Sequence, residues 1–299
     1  MPKPVNNTGI MLHTLKRTVL AVAFAMLFGS CASGTALQTS PKRVAHDGQS
    51  IDSSLTLVIP PIETNENATQ EKYQRLVKYL EAHTGKRIYT ITPPNYLAYW
   101  HTVRQPSRYD LALDSAHFTD YRIQEYGFKL LAKQSGRMSY SLLTLATGKT
   151  PALHELAGRV IAARDIPSMD ATRLAAMFSD PSRQPRIHSI ANYDDGLDML
   201  EAGRVTAVML PTQYAFELTK LDKDLKILAI TEPVMAGAMT ASPALDPVIQ
   251  RQIQRALLHA TTNPAGRTAL ASAELSRFEP GNRAQYAGYR QILDNIWTY

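Results

Sequence analysis

From Leu55 onward, short apolar runs alternate with stripes of helical spacing. Residues 55–59 (LTLVI) predict a buried strand that cannot continue past Pro60 and Pro61. Tyr73, Leu76, Val77 and Leu80 then fall at i, i+3, i+4 and i+7 of a helix, with Asn67 and Gln70 available as a capping box and Gly85 as the C-terminal stop. Alternation returns at Arg87–Ile91, Pro93-Pro94 follows, and Asp110–Leu113 forms a third strand. Two extended segments, Gly127–Leu131 and Tyr140–Ala146, lead into a second series: strands at 159–163, 187–190, 205–210 and 226–230, and helices at 170–178, 194–202 and 212–220.

Strand alternating with helix implies largely parallel sheets covered on both faces. Two such series predict two lobes. After Asp246 the pattern is helical again, with Ile249, Ile253, Ala256 and Leu257 on one stripe and Tyr286, Tyr289, Leu293, Ile296 and Trp297 on another. Helices without a sheet of their own must pack on an existing one, so 231–245 is expected to return the chain to the first lobe. The expected division is 55–140 with 236–299 as a discontinuous lobe 1, and 141–235 as lobe 2. The two strands crossing between them form a hinge, and the lobes face each other across a groove.

Length and composition agree with this picture. The chain has 299 residues, 44% hydrophobic and 19% charged, an ordinary globular balance with room for two domains. The formal charge is +6, but Lys3, Lys16 and Arg17 stand before Cys31 with no acid among residues 1–30, so half of the excess belongs to the leader. No dense basic run remains, which excludes a nucleic-acid footprint.

The leader reads as an address. Lys16-Arg17 precedes the apolar run Val19–Phe28, about 15 Å as a helix and too short for a hydrocarbon core of about 30 Å, so residues 1–30 are expected to be a signal peptide. Leu27-Phe28-Gly29-Ser30-Cys31 resembles the lipobox of bacterial lipoproteins, with Phe28 where leucine is usual. Cys31 is the only cysteine and is the expected lipidation site; ordinary cleavage near Ser30 or Ala32 with a free thiol is the alternative. Residues 31–54 read as the lipidated N-terminus and a flexible tether.

Enzyme motifs are missing: there is no G-x-S-x-G elbow, Walker A loop, G-x-G-x-x-G fingerprint or His-Glu-x-x-His pair. The histidines lack metal-ligand spacing, so neither a metal nor a cofactor is expected. Asp194-Asp195 reads as the start of a helix, where acids suit the cap and the dipole. What remains is a row of polar and aromatic residues just beyond strand ends. Ligands bind there in open α/β sheets, because helix N-termini expose unpaired N–H groups. Tyr96, Ser115, His117, Tyr140, Ser168, Tyr193 and Thr212 are the candidate ligand-binding residues.

The order of elements and several strings resemble the phosphonate-binding family of periplasmic solute receptors, a branch of the type II bilobal fold, over about residues 55–297. The strings are Leu80–Gly85, Asn95–Tyr99, Tyr109–Leu113, Glu201–Val205 and Asn263–Arg267. The resemblance implies a two-lobed α/β receptor that closes on a small polar or anionic solute, phosphonate-like or phosphate-like, without covalent chemistry. It implies delivery to the permease of an ABC transporter. The protein is expected to be a monomer, held at a bacterial membrane surface in the cell envelope by the lipid on Cys31. The family's Ser-Thr-Ser-Gly anion cradle is matched here by Ile166-Pro167-Ser168-Met169-Asp170, which keeps one hydroxyl and adds an acid. Tyr193 stands at the family's His position and Thr206 at its strand-end Asp, while Gln213 and Ala238 replace the acids that hold an ammonium. Two rival readings are a ligand-sensing lipoprotein that partners an envelope signalling protein, and an enzyme built on His117 near Asp114 or Ser115.

Overall fold

Leu57, Val58 and Ile59 are fully buried, and the first strand, β1 (Leu55–Val58), stops before Pro60-Pro61 as its sequence requires. The computed structural model describes residues 54–146, 151–178 and 180–294. The leader, Cys31, the tether through residue 53, Ile296 and Trp297 lie outside the described residues.

Helix α1 (Glu66–Thr84) buries Tyr73, Leu76, Val77 and Leu80 as its stripe predicts, and Gly85 ends it at φ 63. Its cap is Asn65, two residues before the predicted box. Asn65 is extended, and its side chain accepts from the Ala68 N–H, whereas Asn67 is already inside the helix. The chain continues through β2 (Ile88–Ile91), α2 (Tyr96–Val103), β3 (Leu111–Asp114), α3 (Ala116–Tyr126), β4 (Lys129–Gln134), β5 (Arg137–Met138) and β6 (Tyr140–Leu145). Next come β7 (Val160–Ala163), α4 (Met169–Ala176), β8 (Arg186–Ser189), α5 (Tyr193–Glu201), β9 (Ala207–Pro211), α6 (Thr212–Leu221) and β10 (Leu225–Ile230). The last elements are β11 (Val234–Met235), β12 (Ala238–Ala241), α7 (Pro247–Leu258), α8 (Pro264–Ser272), β13 (Phe278–Glu279) and α9 (Gln291–Asp294).

These strands form a six-stranded sheet in the order β13-β4-β12-β3-β1-β2 and a five-stranded sheet in the order β10-β6-β9-β7-β8. The expected parallel pairing describes the core of each sheet: β1 with β2 and β3, and β7 with β8 and β9. The strands added to those cores are antiparallel: β12 against β3 and β4, β13 against β4, and β6 against β9 and β10. A parallel neighbour needs a helical crossover, and these strands enter from elsewhere in the chain. The chain passes from the first sheet to the second through β5 and returns through β11. Those two crossing segments pair with each other, Val234 opposite Met138 and Met235 opposite Arg137.

The first core lies between the six-stranded sheet and α1, α7 and α8, with Leu57, Leu76, Leu80, Ile253, Leu257 and Leu270 buried together. Tyr286 and Tyr289 do not share a helix with Leu293 as their spacing predicts. A 3-10 turn at Arg283–Gln285 precedes them, Gly288 takes φ 96, and α9 starts only at Gln291. The two tyrosines clasp the returning crossover instead: Tyr286 Oη donates to the Ala236 carbonyl at 2.8 Å and Tyr289 Oη accepts from the Met235 N–H at 3.0 Å. Gly237 follows, where a Cβ would stand 2.6 Å from the Asp114 carbonyl oxygen, so only glycine lets β12 begin so close to the end of β3. The described residues belong to one compact unit. The second core runs through its middle: Ala116, Ala238 and Tyr286 pack with Tyr140, Met169, Ala207 and Met209. The walls of the expected groove are therefore in contact.

Candidate functional site

Five helices start just beyond strand ends: α2 after β2, α3 after β3, α4 after β7, α5 after β8 and α6 after β9. Side chains of Asn95, Ser168 and Asn192 cap α2, α4 and α5, whereas Ser115 and Pro211 make no side-chain cap to α3 and α6. Asn192, not the acidic pair, caps α5; Asp194 and Asp195 occupy its first turn, where the helix dipole favours them.

Arg164, the first residue after β7, organises the junction between the sheets. Its Nε donates to Asp170 Oδ2 at 3.1 Å, and its backbone N–H reaches the same oxygen at 3.4 Å. Its guanidinium carbon lies 4.7 Å from the ring centroid of Tyr193 and 5.5 Å from that of Tyr96, so aromatic faces from both sheets flank one cation. Tyr193 Oη also donates to Asp170 Oδ2 at 3.4 Å. Tyr140, buried at the start of β6, interacts electrostatically with Asp170 and Arg164. Burial pushes the Tyr96 phenol up to about 12, and it raises Tyr140 and Tyr193 as well, so all three stay neutral hydrogen-bonding groups.

Asp170 is wholly buried in the first turn of α4, and its Oδ1 has no hydrogen-bond partner. Ser168 caps that helix: its Oγ accepts from the Ala171 N–H at 3.3 Å and donates to the Arg164 carbonyl at 3.3 Å. The hydroxyl predicted to face a ligand is thus engaged in shaping the loop that carries Arg164.

His117 bridges the sheets. Its Nε2–H donates to the Pro167 carbonyl at 2.8 Å, and its Nδ1 accepts from Ser115 Oγ at 3.3 Å, which the neutral imidazole satisfies. Burial lowers its pKa to about 4 against the weaker upward pull of the Pro167 carbonyl. Asn192 Nδ2 donates to Thr64 Oγ1 at 2.8 Å, a second polar link between the elements of the two sheets. Thr212 is placed elsewhere. Its Oγ1 accepts from Ser139 at 2.8 Å and Ser141 at 2.9 Å, and it lines a groove of about 580 Å³ with Met138, Gln213 and Phe216.

Tyr96, Tyr140 and Tyr193 are therefore brought together, with Ser168, Ser115 and His117 beside them. Arg164 was missed although it obeys the rule that selected the others, standing directly beyond a strand end. Among the described residues, no group of three or more His, Cys, Asp or Glu is arranged to hold a metal ion.

Two α/β sheets joined by paired crossovers, with helix N-termini meeting between them, define a type II periplasmic binding fold. The chain belongs to the family described as ABC transporter, phosphonate, periplasmic substrate-binding protein, whose profile matches residues 57–286. It is a solute-binding protein of that transport class. Among solved structures, PhnD1 from Prochlorococcus marinus in complex with methylphosphonate superposes with a TM-score of 0.67 at 14% identity, covering 82% of this chain and 98% of that one. A binding protein component of an ABC phosphonate transporter from Pseudomonas aeruginosa gives 0.65 at 13% identity, covering 81% and 86%. An ATP-bound protein from Xanthomonas citri gives 0.62 at 14%, covering 81% and 100%. No curated protein matches the sequence.

Proposed function

We propose that this chain is the receptor of an ABC uptake system that closes two lobes over a small polar solute with an anionic group. The lobes are 55–140 with 236–299, and 141–235, and the β5–β11 ribbon is the hinge between them. Arg164 receives the anionic group, walled by Tyr96, Tyr140 and Tyr193, with Ser115, His117 and Ser168 shaping the rim, whereas Thr212 lies apart in the groove beside Met138. The observation that carries this reading is the arginine held between aromatic rings from both sheets at converging helix N-termini. Contacts across the junction correspond to the closed arrangement, in which Arg164 stays paired with Asp170 until a solute displaces that bond.

Binding without covalent chemistry is supported by His117, which is buried and spends Nε2 on a backbone carbonyl. The family description names a transporter component, which favours delivery to a permease over a sensor role. Acylation at Cys31 would hold the protein at a membrane surface in the envelope. The receptor acts as a monomer.

The test is titration calorimetry with small-angle scattering, on the wild type and Arg164→Ala, against methylphosphonate, phosphate, sulfonates and amino acids. The expected result is heat and a change in radius of gyration with one class, and at least tenfold weaker binding by the variant with unchanged circular dichroism. No heat and no change in shape with any of them would remove the reading.

A further inference from the structure

The carboxylate of Asp170 has one oxygen engaged and one without a partner, although the residue is completely buried. A buried acceptor left open is unfavourable, so native structures fill it unless the site is kept for something else. Asp170 Oδ2 faces Arg164 and Tyr193, which places the carboxylate at the junction between the two sheets described above. It also sits in the first turn of α4. Here the chain supplies its own anion at that helix end, where the backbone N–H groups favour negative charge.

We propose that the solute is a zwitterion whose cationic group donates to Asp170 Oδ1 while its anionic group pairs with Arg164, so that Asp170 sets the class of ligand. The inference rests on the receptor reading of the cleft. Charge balance carries it. A bare anion that draws Arg164 away leaves Asp170 buried without a counter-charge and must approach it against repulsion. A bare cation that takes Asp170 strands Arg164, which is only 12% exposed. A zwitterion replaces one buried ion pair with two, and neither resident charge is left alone. Of the groups around the pair, the three tyrosines and His117 are neutral and Asp114–Arg122 is balanced within itself; Arg173, one turn along α4, keeps its charge, but its Nη2 donates to the Glu232 carbonyl at an exposed position. Tyrosine rings, which already flank a guanidinium, are suited to an ammonium as well.

The experiment uses matched sets that differ only in charge: 2-aminoethylphosphonate, ethylphosphonate and ethylamine, and glycine, acetate and methylamine. Calorimetry on the wild-type protein is expected to show one zwitterion binding at least tenfold more tightly than both of its mono-ionic partners. Asp170→Asn is expected to lose at least tenfold for that zwitterion and to gain affinity for the matched anion, which narrows the preference. Should the anion bind the wild type as tightly as its zwitterion, the inference is overturned and the receptor reading stands. If both zwitterions fail while methylphosphonate or phosphate binds, the same conclusion follows. If no compound in either set and no other anion gives heat or a change in scattering, both fall together.

Discussion

Two buried arginine–aspartate pairs stand within this fold, and they are finished differently. At the end of β3, Asp114 and Arg122 are both fully buried. Asp114 Oδ1 accepts from Arg122 Nη1 at 3.0 Å and from Thr119 at 3.3 Å, Oδ2 accepts from Arg122 Nη2 and Tyr99, and Arg122 Nε donates to Tyr109 at 3.0 Å. Both carboxylate oxygens are taken. At the start of α4, Asp170 and Arg164 meet through one nitrogen, the arginine keeps some exposure, and one carboxylate oxygen is open. The difference separates two uses of the same chemistry. A saturated pair locks an element in place, here the second turn of α3 onto the end of β3, whereas an unsaturated pair at a junction has capacity left for exchange.

Matched substitutions put that contrast at risk. Asp114→Asn removes the charge that compensates a sealed guanidinium and is expected to reduce unfolding free energy by about 3–5 kcal/mol. Asp170→Asn is expected to cost less, about 1–3 kcal/mol, because the amide oxygen can still accept from Arg164 and two aromatic faces flank the guanidinium. Urea unfolding followed by circular dichroism measures both. Equal losses at the two positions would mean that saturation does not distinguish them.

His117, which joins the two regions through the Pro167 carbonyl, supplies a pH-dependent version of the comparison. The folded protein holds it neutral down to about pH 4, while the unfolded chain takes up the proton near 6.5. Between those values the unfolded state binds more protons, so this contribution is complete above pH 6.5 and is lost as pH falls toward 4. Unfolding at pH 7 and at pH 5 is expected to differ by roughly 2 kcal/mol from this group. His117→Gln should remove most of that difference; an unchanged pH slope would show that the imidazole is not held as a neutral bridge.

The sequence makes the scaffold legible because proline pairs, apolar runs and helical stripes are local signals, as at Leu55–Ile59 and Tyr73–Leu80. It makes the tyrosines of the site legible for a different reason: they follow strand ends, where the fold class puts its ligands. Arg164 also follows a strand, yet a lone arginine after an apolar run reads as ordinary surface until tertiary structure packs rings from two sheets against it. Asp170 shows only as a departure from a hydroxyl-rich cradle, and its open oxygen is a property of geometry. The Asp114–Arg122 pair has no sequence signal at all, since its partners come from a strand end, a helix interior and two tyrosines placed before the strand. Antiparallel additions to the sheets escaped for a similar reason: strand–helix alternation reports how neighbours in sequence connect, not where a crossing strand docks.

The smallest effect tests what the aromatic wall contributes. Tyr193→Phe deletes a hydroxyl that reaches Asp170 at 3.4 Å, a long contact, and keeps the ring over Arg164. Its expected cost is below about 0.5 kcal/mol, under the typical contribution of a well-formed hydrogen bond. Tyr193→Leu keeps apolar bulk but removes the π face, so its cost should be larger by about 0.5–1 kcal/mol. Unfolding measured on both variants, each with and without Arg164→Met, isolates the ring–cation part as the coupling energy. If the Phe and Leu variants behave alike and the coupling vanishes, the ring is mere packing, and the open pair is held by Asp170 alone.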